Sequence, residues 1–557
     1  MALHNLAINL GPIRDSGWLN GIVNTHLRPN ILNMFKKNIY FMYYFACFLL
    51  LVIAIPLVAQ EDKVAYKADR LENARLHNKS CKKLEGNVTF TFQPSGMVLT
   101  ADKAYKYDAE ELIEAHGNVK IVDKEGSQLQ ADVLTYYPEK KWTILDGNVI
   151  CASSSGTFYT TKLTYDVERK EGKFLDGGKL VQDQMVLTSR TGLYDGGGHK
   201  ITFSKEVVLV DATYALHCDQ LTYHTEKKEA YFQGATKIIY EDNTLLTEQE
   251  GSYLPSTHHL VMHNGSWHHQ DTVLKADRLE MVDKTNCVAE GNVSLDAKAQ
   301  AAVIVGERAT YSEKEKEKRT EITGQPLLTK VVNNETMYLR ADRFLSVEKN
   351  STENGSEQEV HALGQVKLYQ ENLQGVADGA VYNSKSNTIY LQNKPIVWCA
   401  GYQITGEDMY LVIEEEQEKI QLFVNKDLFM VSADPVDNYN QIKGQKMVAY
   451  FKAGAIERMS IDGNGESLYF VLGEKNELIG MNHIKCHNME ISMKDNTLEE
   501  MKCTPQPIGA FYPVALLTKE QMKLTNFAWY ADQWPTKETI VKPTVKAPDS
   551  QEIAVKK

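Results

Sequence analysis

The residues that could carry chemistry in this chain come in two groups. The first is "THHLVMHNGSWHHQ", which places His258, His259, His263, His268 and His269 within twelve residues. A metal site needs imidazoles that converge and partners that orient them. Neighbouring histidines on a strand point to opposite faces, so each pair offers at most one ligand per face. The expectation is therefore exposed histidines in a hairpin and no metal site. The second group is a recurring aspartate, at Asp102, Asp132, Asp219, Asp277 and Asp342. Paired carboxylates could bind calcium or perform acid catalysis, but an enzyme concentrates them at one place. A carboxylate written once per unit serves the geometry of the unit. No G-x-S-x-G, P-loop or H-E-x-x-H pattern is present. No catalytic residue and no cofactor is assigned, and the chain is read as a non-enzyme.

The aspartates lead to the elements that hold them. Gly-Asn-Val recurs in "LEGNVTF", "AHGNVKIV", "LDGNVIC" and "AEGNVSL". Its glycines stand at Gly86, Gly117 and Gly147, with a degenerate Gly177 next. Between them runs a second word: "TADKAYKY", "QADVLTYY", "HCDQLTYH", "KADRLEMV" and "RADRFLSV". The two words alternate with a period of about 30 residues, in the range of stacked arrays. Ile113, Ala115, Gly117, Val119 and Ile121 alternate with polar neighbours, which predicts a strand with one buried face. In the other word the phase slips: Leu129 and Ala131 share one parity, and Leu134 and Tyr136 the opposite one. A slip of a period-two pattern predicts a bend or bulge at Ala131-Asp132. Glycine in the partner word marks the corresponding bend. Short charged turns such as "YPEKKW" join the words, which favours antiparallel hairpins. Longer hairpins continue to about residue 518, and Gly444 and Met447 align with Cys486 and Met489.

The chain has 557 residues, 24% charged and 43% hydrophobic, with a formal charge of -12. Acidic and basic residues are interspersed, so there is no basic stripe for nucleic acid. Residues 38–60 carry no charge and follow Lys36-Lys37, a secretory signal with cleavage expected near Ala59 or Gln60. Met34 makes a better start than Met1, so 1–33 reads as an upstream extension. Seven cysteines follow the signal without a C-x-x-C pair. Most read as small core residues, with a Cys486–Cys503 disulfide left open.

The ordered alternation of A-D-x-L-x-Y with G-N-V-x-L resembles the OstA-like family of lipopolysaccharide-transport proteins. That family includes LptA and the N-terminal domain of LptD. The resemblance covers about residues 61–515. It implies an all-β fold, an elongated repetitive antiparallel β-jellyroll (a β-taco) of ~30-residue repeats, preceded by a signal helix. It implies the following organisation: signal 1–60, OstA-like repeats 61–400, divergent C-terminal repeats 401–518 and a flexible tail 519–557. It also implies a non-catalytic periplasmic protein carrying lipopolysaccharide acyl chains in an apolar groove toward the outer membrane. The chain has many more repeats than a compact bridge and too few residues left for a translocon barrel. Its implied partners are lipopolysaccharide and inner- and outer-membrane transport components, docked through edge strands, with end-to-end self-association. Strand parity selects Val88, Phe90, Val119, Ile121, Leu129, Leu134, Val149 and Leu274 as groove candidates. The competing reading is a structural or adhesive cell-surface β-solenoid. A carbohydrate-active β-helix enzyme is third.

Overall fold

The computed structural model describes residues 63–542, less short stretches at strand connections, of which 123–127 and 415–418 are the longest. The expected signal segment, the upstream extension and residues 543–557 lie outside the described residues. The described chain is almost entirely strand, and every strand pairing described below is antiparallel. It divides into two compact units: one formed by described residues up to 270 together with 275–289, the other by 271–274 and 290 onward.

In the first unit the repeating element is a long bent strand. Leu112–Val122 is typical. Both of its halves pair with the same two neighbours, Val98–Tyr107 and Gln128–Tyr137, and the register with the latter shifts between His116 and Val119. Two residues, Gly117 and Asn118, occupy the shift. Both have left-handed backbones, at φ +72° and +43°. This is the bulge that the slip at Ala131-Asp132 predicts, and the facing strand Gln128–Tyr137 shifts between Gln130 and Val133. Gly86 with Asn87, Gly147 with Asn148, and Gly291 with Asn292 repeat the same pair of positive φ angles.

The reason for glycine is steric as well as torsional. A Cβ on Gly117 would stand 2.5 Å from Oδ2 of Asp102. Asp102 in turn accepts a 2.8 Å hydrogen bond from Nδ2 of Asn118. Asp69 with Asn87 and Asp132 with Asn148 make the same bond at the same length. At Gly234 the aspartate accepts instead from the Ala235 backbone N–H, at 3.2 Å. The repeated aspartate therefore fixes a corner.

Each bent strand contributes to two walls. On one wall Phe90, Leu99, Ile121, Leu129, Cys151 and Phe158 stand side by side in register. The row continues through Leu180, Leu187, Leu209, Leu216, Ile238 and Leu245. On the other wall Leu84, Ala104, Ala115, Leu134, Leu145 and Leu163 form the matching row. All of these residues are buried. Further along, large and small residues alternate across the second wall. Gly192 pairs with Phe174 and Gly251 with Phe232, and a Cβ on either glycine would overlap the phenyl ring. Mixed sizes let facing positions interdigitate at native packing density.

The second unit repeats the design. One wall aligns Ile304, Leu328, Leu339, Leu368, Gly375 and Val397, then Ile404, Met430 and Ile442. The other aligns Phe344, Ala362, Ala380, Leu391, Met409 and Val424, then Met447, Ile461 and Met489. The last strand is Ile508–Pro513. Residues 517–542 turn back along the outside of this unit and end in the short helix Lys537–Val541. Leu524 and Ile540 are buried there. The segment lacks periodicity because its contacts are made by side chains spaced to match strands, not by a strand of its own.

Candidate functional site

Among the described residues no cluster of His, Cys, Asp or Glu is arranged to hold a metal ion; the candidate site is the apolar interior between the two walls. All eight positions selected by parity are buried. Val88 and Phe90 lie on Lys79–Gln93, Val119 and Ile121 on Leu112–Val122, and Leu129 and Leu134 on Gln128–Tyr137. Val149 lies on Trp142–Ser153 and Leu274 on Thr272–Met281. The structure brings Phe90, Ile121 and Leu129 into one row, with Leu99 between Phe90 and Ile121. Val119 pairs with Ala131 and Val88 with Ala101, one step nearer the corner. Leu134 is on the opposite wall.

Among the described residues, each unit has an apolar cavity in its interior. In the first unit a cavity of about 20 Å³ is lined by Phe90, Phe92, Leu99, Ile121 and Leu134, with Tyr136 and Thr143 at its edge. In the second unit a cavity of about 150 Å³ is lined by Leu339, Phe344, Leu368, Val397 and Leu411 among other apolar side chains. Lys330 reaches this second cavity, and burial lowers its pKa to about 8.

Parity alone did not single out a tyrosine row. Tyr136, Thr143, Tyr165, Gly172, Tyr194 and Ile201 are in register on one wall, and Tyr223, Ala230 and Tyr253 extend the row. Tyr136 and Tyr223 close the A-D-x-L-x-Y word four residues after Asp132 and Asp219, whereas Thr161, Arg190 and Gln249 stand at that position before Tyr165, Tyr194 and Tyr253, so the word marks only part of the row. Burial pushes the Tyr165 hydroxyl up to about 12, so it stays neutral at physiological pH. Thr143 sits between Tyr136 and Tyr165 at 3% exposure, and its hydroxyl has no hydrogen-bond partner.

The histidines do not stand in an exposed hairpin as expected. His259, His263, His268 and His269 are half-buried along the strand His259–His269, and His258 lies outside the described residues. The hydrophobic alternation Leu260, Met262, Trp267 carries the strand through the cluster and buries that face. His259 is bonded to Glu280, which also pairs with Arg278, and His268 bonds the Ser266 hydroxyl. Cys486 and Cys503 are free thiols. The Cys486 thiol donates to the Asn488 carbonyl at 3.1 Å.

Bent strands, glycine corners and two apolar walls define an antiparallel β-repeat protein with a lined interior. Residues 61–219 and 193–266 match the OstA-like protein family, and residues 272–418 match the LptA/(LptD N-terminal domain) LPS transport protein family. The chain belongs to the OstA-like/LptA family. Among solved structures it is similar to LptH of Pseudomonas aeruginosa, the LptA homologous periplasmic component of the lipopolysaccharide transport device. That likeness has 18% identity, 20% coverage of this chain, 80% coverage of that one and a TM-score of 0.17. No curated protein sequence matches the chain.

Proposed function

We propose that the protein is a non-catalytic periplasmic carrier of lipopolysaccharide, and that the acyl chains travel between the two walls toward the outer membrane. The observation that carries this reading is the unbroken apolar row of Phe90, Leu99, Ile121, Leu129, Cys151 and Phe158, repeated in every further rung of the unit. Each methylene of an acyl chain gains about 0.8 kcal/mol on leaving water. A row with the same lining at each ~4.8 Å step offers nearly equal affinity along its length. A lipid can then move without a deep trap at any rung. Family membership supports the same cargo. The candidate contacts remain Val88, Phe90, Val119, Ile121, Leu129, Leu134, Val149 and Leu274.

Docking to inner- and outer-membrane components, and end-to-end self-association, would use terminal strands. Lys63–Lys67 and Arg70–Leu76 each pair, among the described residues, with Lys79–Gln93 alone. Ile508–Pro513 likewise pairs with Leu478–Lys494, and Ile508 and Phe511 are exposed. Open edges of this kind accept another strand.

The test is binding of purified lipopolysaccharide to the mature chain, followed by native gel shift. Ile121→Asp, which puts a carboxylate in the row, is expected to weaken binding at least about tenfold, the equivalent of 1.4 kcal/mol. Lys120→Asp, on the outer face, should leave binding within about twofold. Equal effects of the two substitutions in folded protein would favour a structural solenoid.

A further inference from the structure

The chain returns on itself after its last strand, and the return is gripped by buried amides. Gln441 donates from Nε2 to the Met522 carbonyl at 2.9 Å and accepts at Oε1 from the Leu524 N–H at 2.8 Å. Gln403 does the same to Ala528 and Tyr530, at 2.9 and 2.8 Å. Each glutamine thus imitates the edge of a strand and pairs with the segment's backbone. Gln374 accepts from the Trp534 indole at 3.0 Å and is itself held by the carbonyls of Gln370 and Glu371. Arg340 closes the series by donating to the carbonyls of Ile540 and Val541.

These anchors come from four distant strands, yet the sheet aligns three of them. Gln374, Trp398, Gln403, Val431 and Gln441 stand side by side in register on the outer face of one wall. Trp534 stacks on Trp398 at 5.6 Å and 15°. Phe527 and Trp529 pack on Tyr439, and Leu524 joins the cluster of Phe429, Val431, Leu468 and Phe470.

The inner face of the same strands lines the 150 Å³ cavity. Leu373 and Gly375 flank Gln374, which itself borders the cavity, Val397 precedes Trp398, and Leu339 precedes Arg340. We propose that residues 517–542 act as a releasable clamp on this wall, holding its strands at fixed spacing and so setting whether the cavity behind them can widen. Strand hydrogen bonds alone let a bent sheet flex. A cross-brace bonded at four points across the sheet resists that motion. The clamp does not depend on what the interior carries, and its test uses no lipid.

Cys399 reports the state of the wall. It is buried on the inner face, pairs with Leu373, and its thiol is pushed up to about 12 by burial. It therefore reacts only when the wall opens. Cys151 and Cys218 are buried in the other unit, with thiols also pushed up to about 12, and serve as references. The mature protein is pulsed with N-ethylmaleimide, and alkylation is read per peptide by mass spectrometry. The double variant Gln403→Leu/Gln441→Leu and the single variant Trp534→Ala are each expected to speed labelling of Cys399 at least about tenfold, while Cys151 and Cys218 keep their rates. An unchanged Cys399 rate in both variants overturns the proposal. So does a parallel rise at all three cysteines, because the segment would then stabilise the chain at large and not this wall.

Discussion

Replacing Gly117 by alanine tests the corner on which the repeat depends. Two costs add there. A non-glycine residue at φ +72° costs about 1–2 kcal/mol in backbone strain. The new Cβ also falls 2.5 Å from Oδ2 of Asp102, with Asp102 Cβ and Cγ at 3.1 and 3.2 Å. Asp102 must swing away and give up the bond from Asn118, which is exposed and worth about 0.5–1.5 kcal/mol. The total is about 1.5–3.5 kcal/mol. Gly177 supplies the control: its φ is +92°, but nothing lies within 4 Å of its Cβ position. Gly177→Ala should therefore cost the backbone strain alone, about 1–2 kcal/mol. The assay is native-state hydrogen exchange over Leu112–Val122 and Gln128–Tyr137. In a repeat array the loss should stay near the altered rung. In an Asp102→Ala background, which removes Oδ2 and Cγ but keeps the Cβ at 3.1 Å, the penalty of Gly117→Ala should fall toward that of Gly177→Ala without reaching it. Equal penalties at Gly117 and Gly177 in the parent chain, or no relief from Asp102→Ala, would refute the idea that aspartate and glycine build the corner together.

Other consequences are accessible to simpler measurements. Thr143→Val removes a buried hydroxyl that has no partner, so the denaturation midpoint should rise, by about 1 kcal/mol in stability; a loss of stability would mean that the hydroxyl is bonded. Lys330 titrates near pH 8 in the folded chain, against about 10.4 when unfolded. The folded state then binds fewer protons between those values, so stability should rise from about pH 8 to pH 10. Lys330→Met should abolish that rise and stabilise the protein at pH 7 by up to about 3 kcal/mol. A pH profile that keeps its rise in the variant would assign it to another group. Gly192→Ala should destabilise its rung more than Gly177→Ala, because its Cβ meets the Phe174 ring; urea denaturation of the two variants compares them directly.

Much of the repeat was legible because period-two alternation reports the inward face directly. The slip at Ala131-Asp132 located a real register shift, and Gly-Asn located its partner. The buried positions of Val88, Ile121 and Leu134 followed from parity alone. The clamp was not legible. Gln374, Gln403 and Gln441 occupy outward positions where alternation expects solvent, and only the register of strands 29 to 38 residues apart aligns them. The segment that covers them reads as an aperiodic, lysine-bearing tail. Its aromatic residues Phe527, Trp529 and Trp534 were the clue, since a solvated tail has no use for three large rings. The histidine strand was misread for a related reason. Five histidines in twelve residues drew attention to polarity, while Leu260, Met262 and Trp267 continued the inward pattern beneath them.

The central claim is that lipid runs between the walls, and in-cell photocrosslinking tests it most directly. A photoreactive residue replaces Ile121 on the inner row, and another replaces Lys120 on the outer face, in cells making native lipopolysaccharide. A lipopolysaccharide adduct at Ile121 and at the further inner positions Val149 and Leu274, with none at Lys120, is the predicted result. Folded protein with no adduct at any of the three inner positions would contradict the account and leave the β-repeat as a structural element of the envelope.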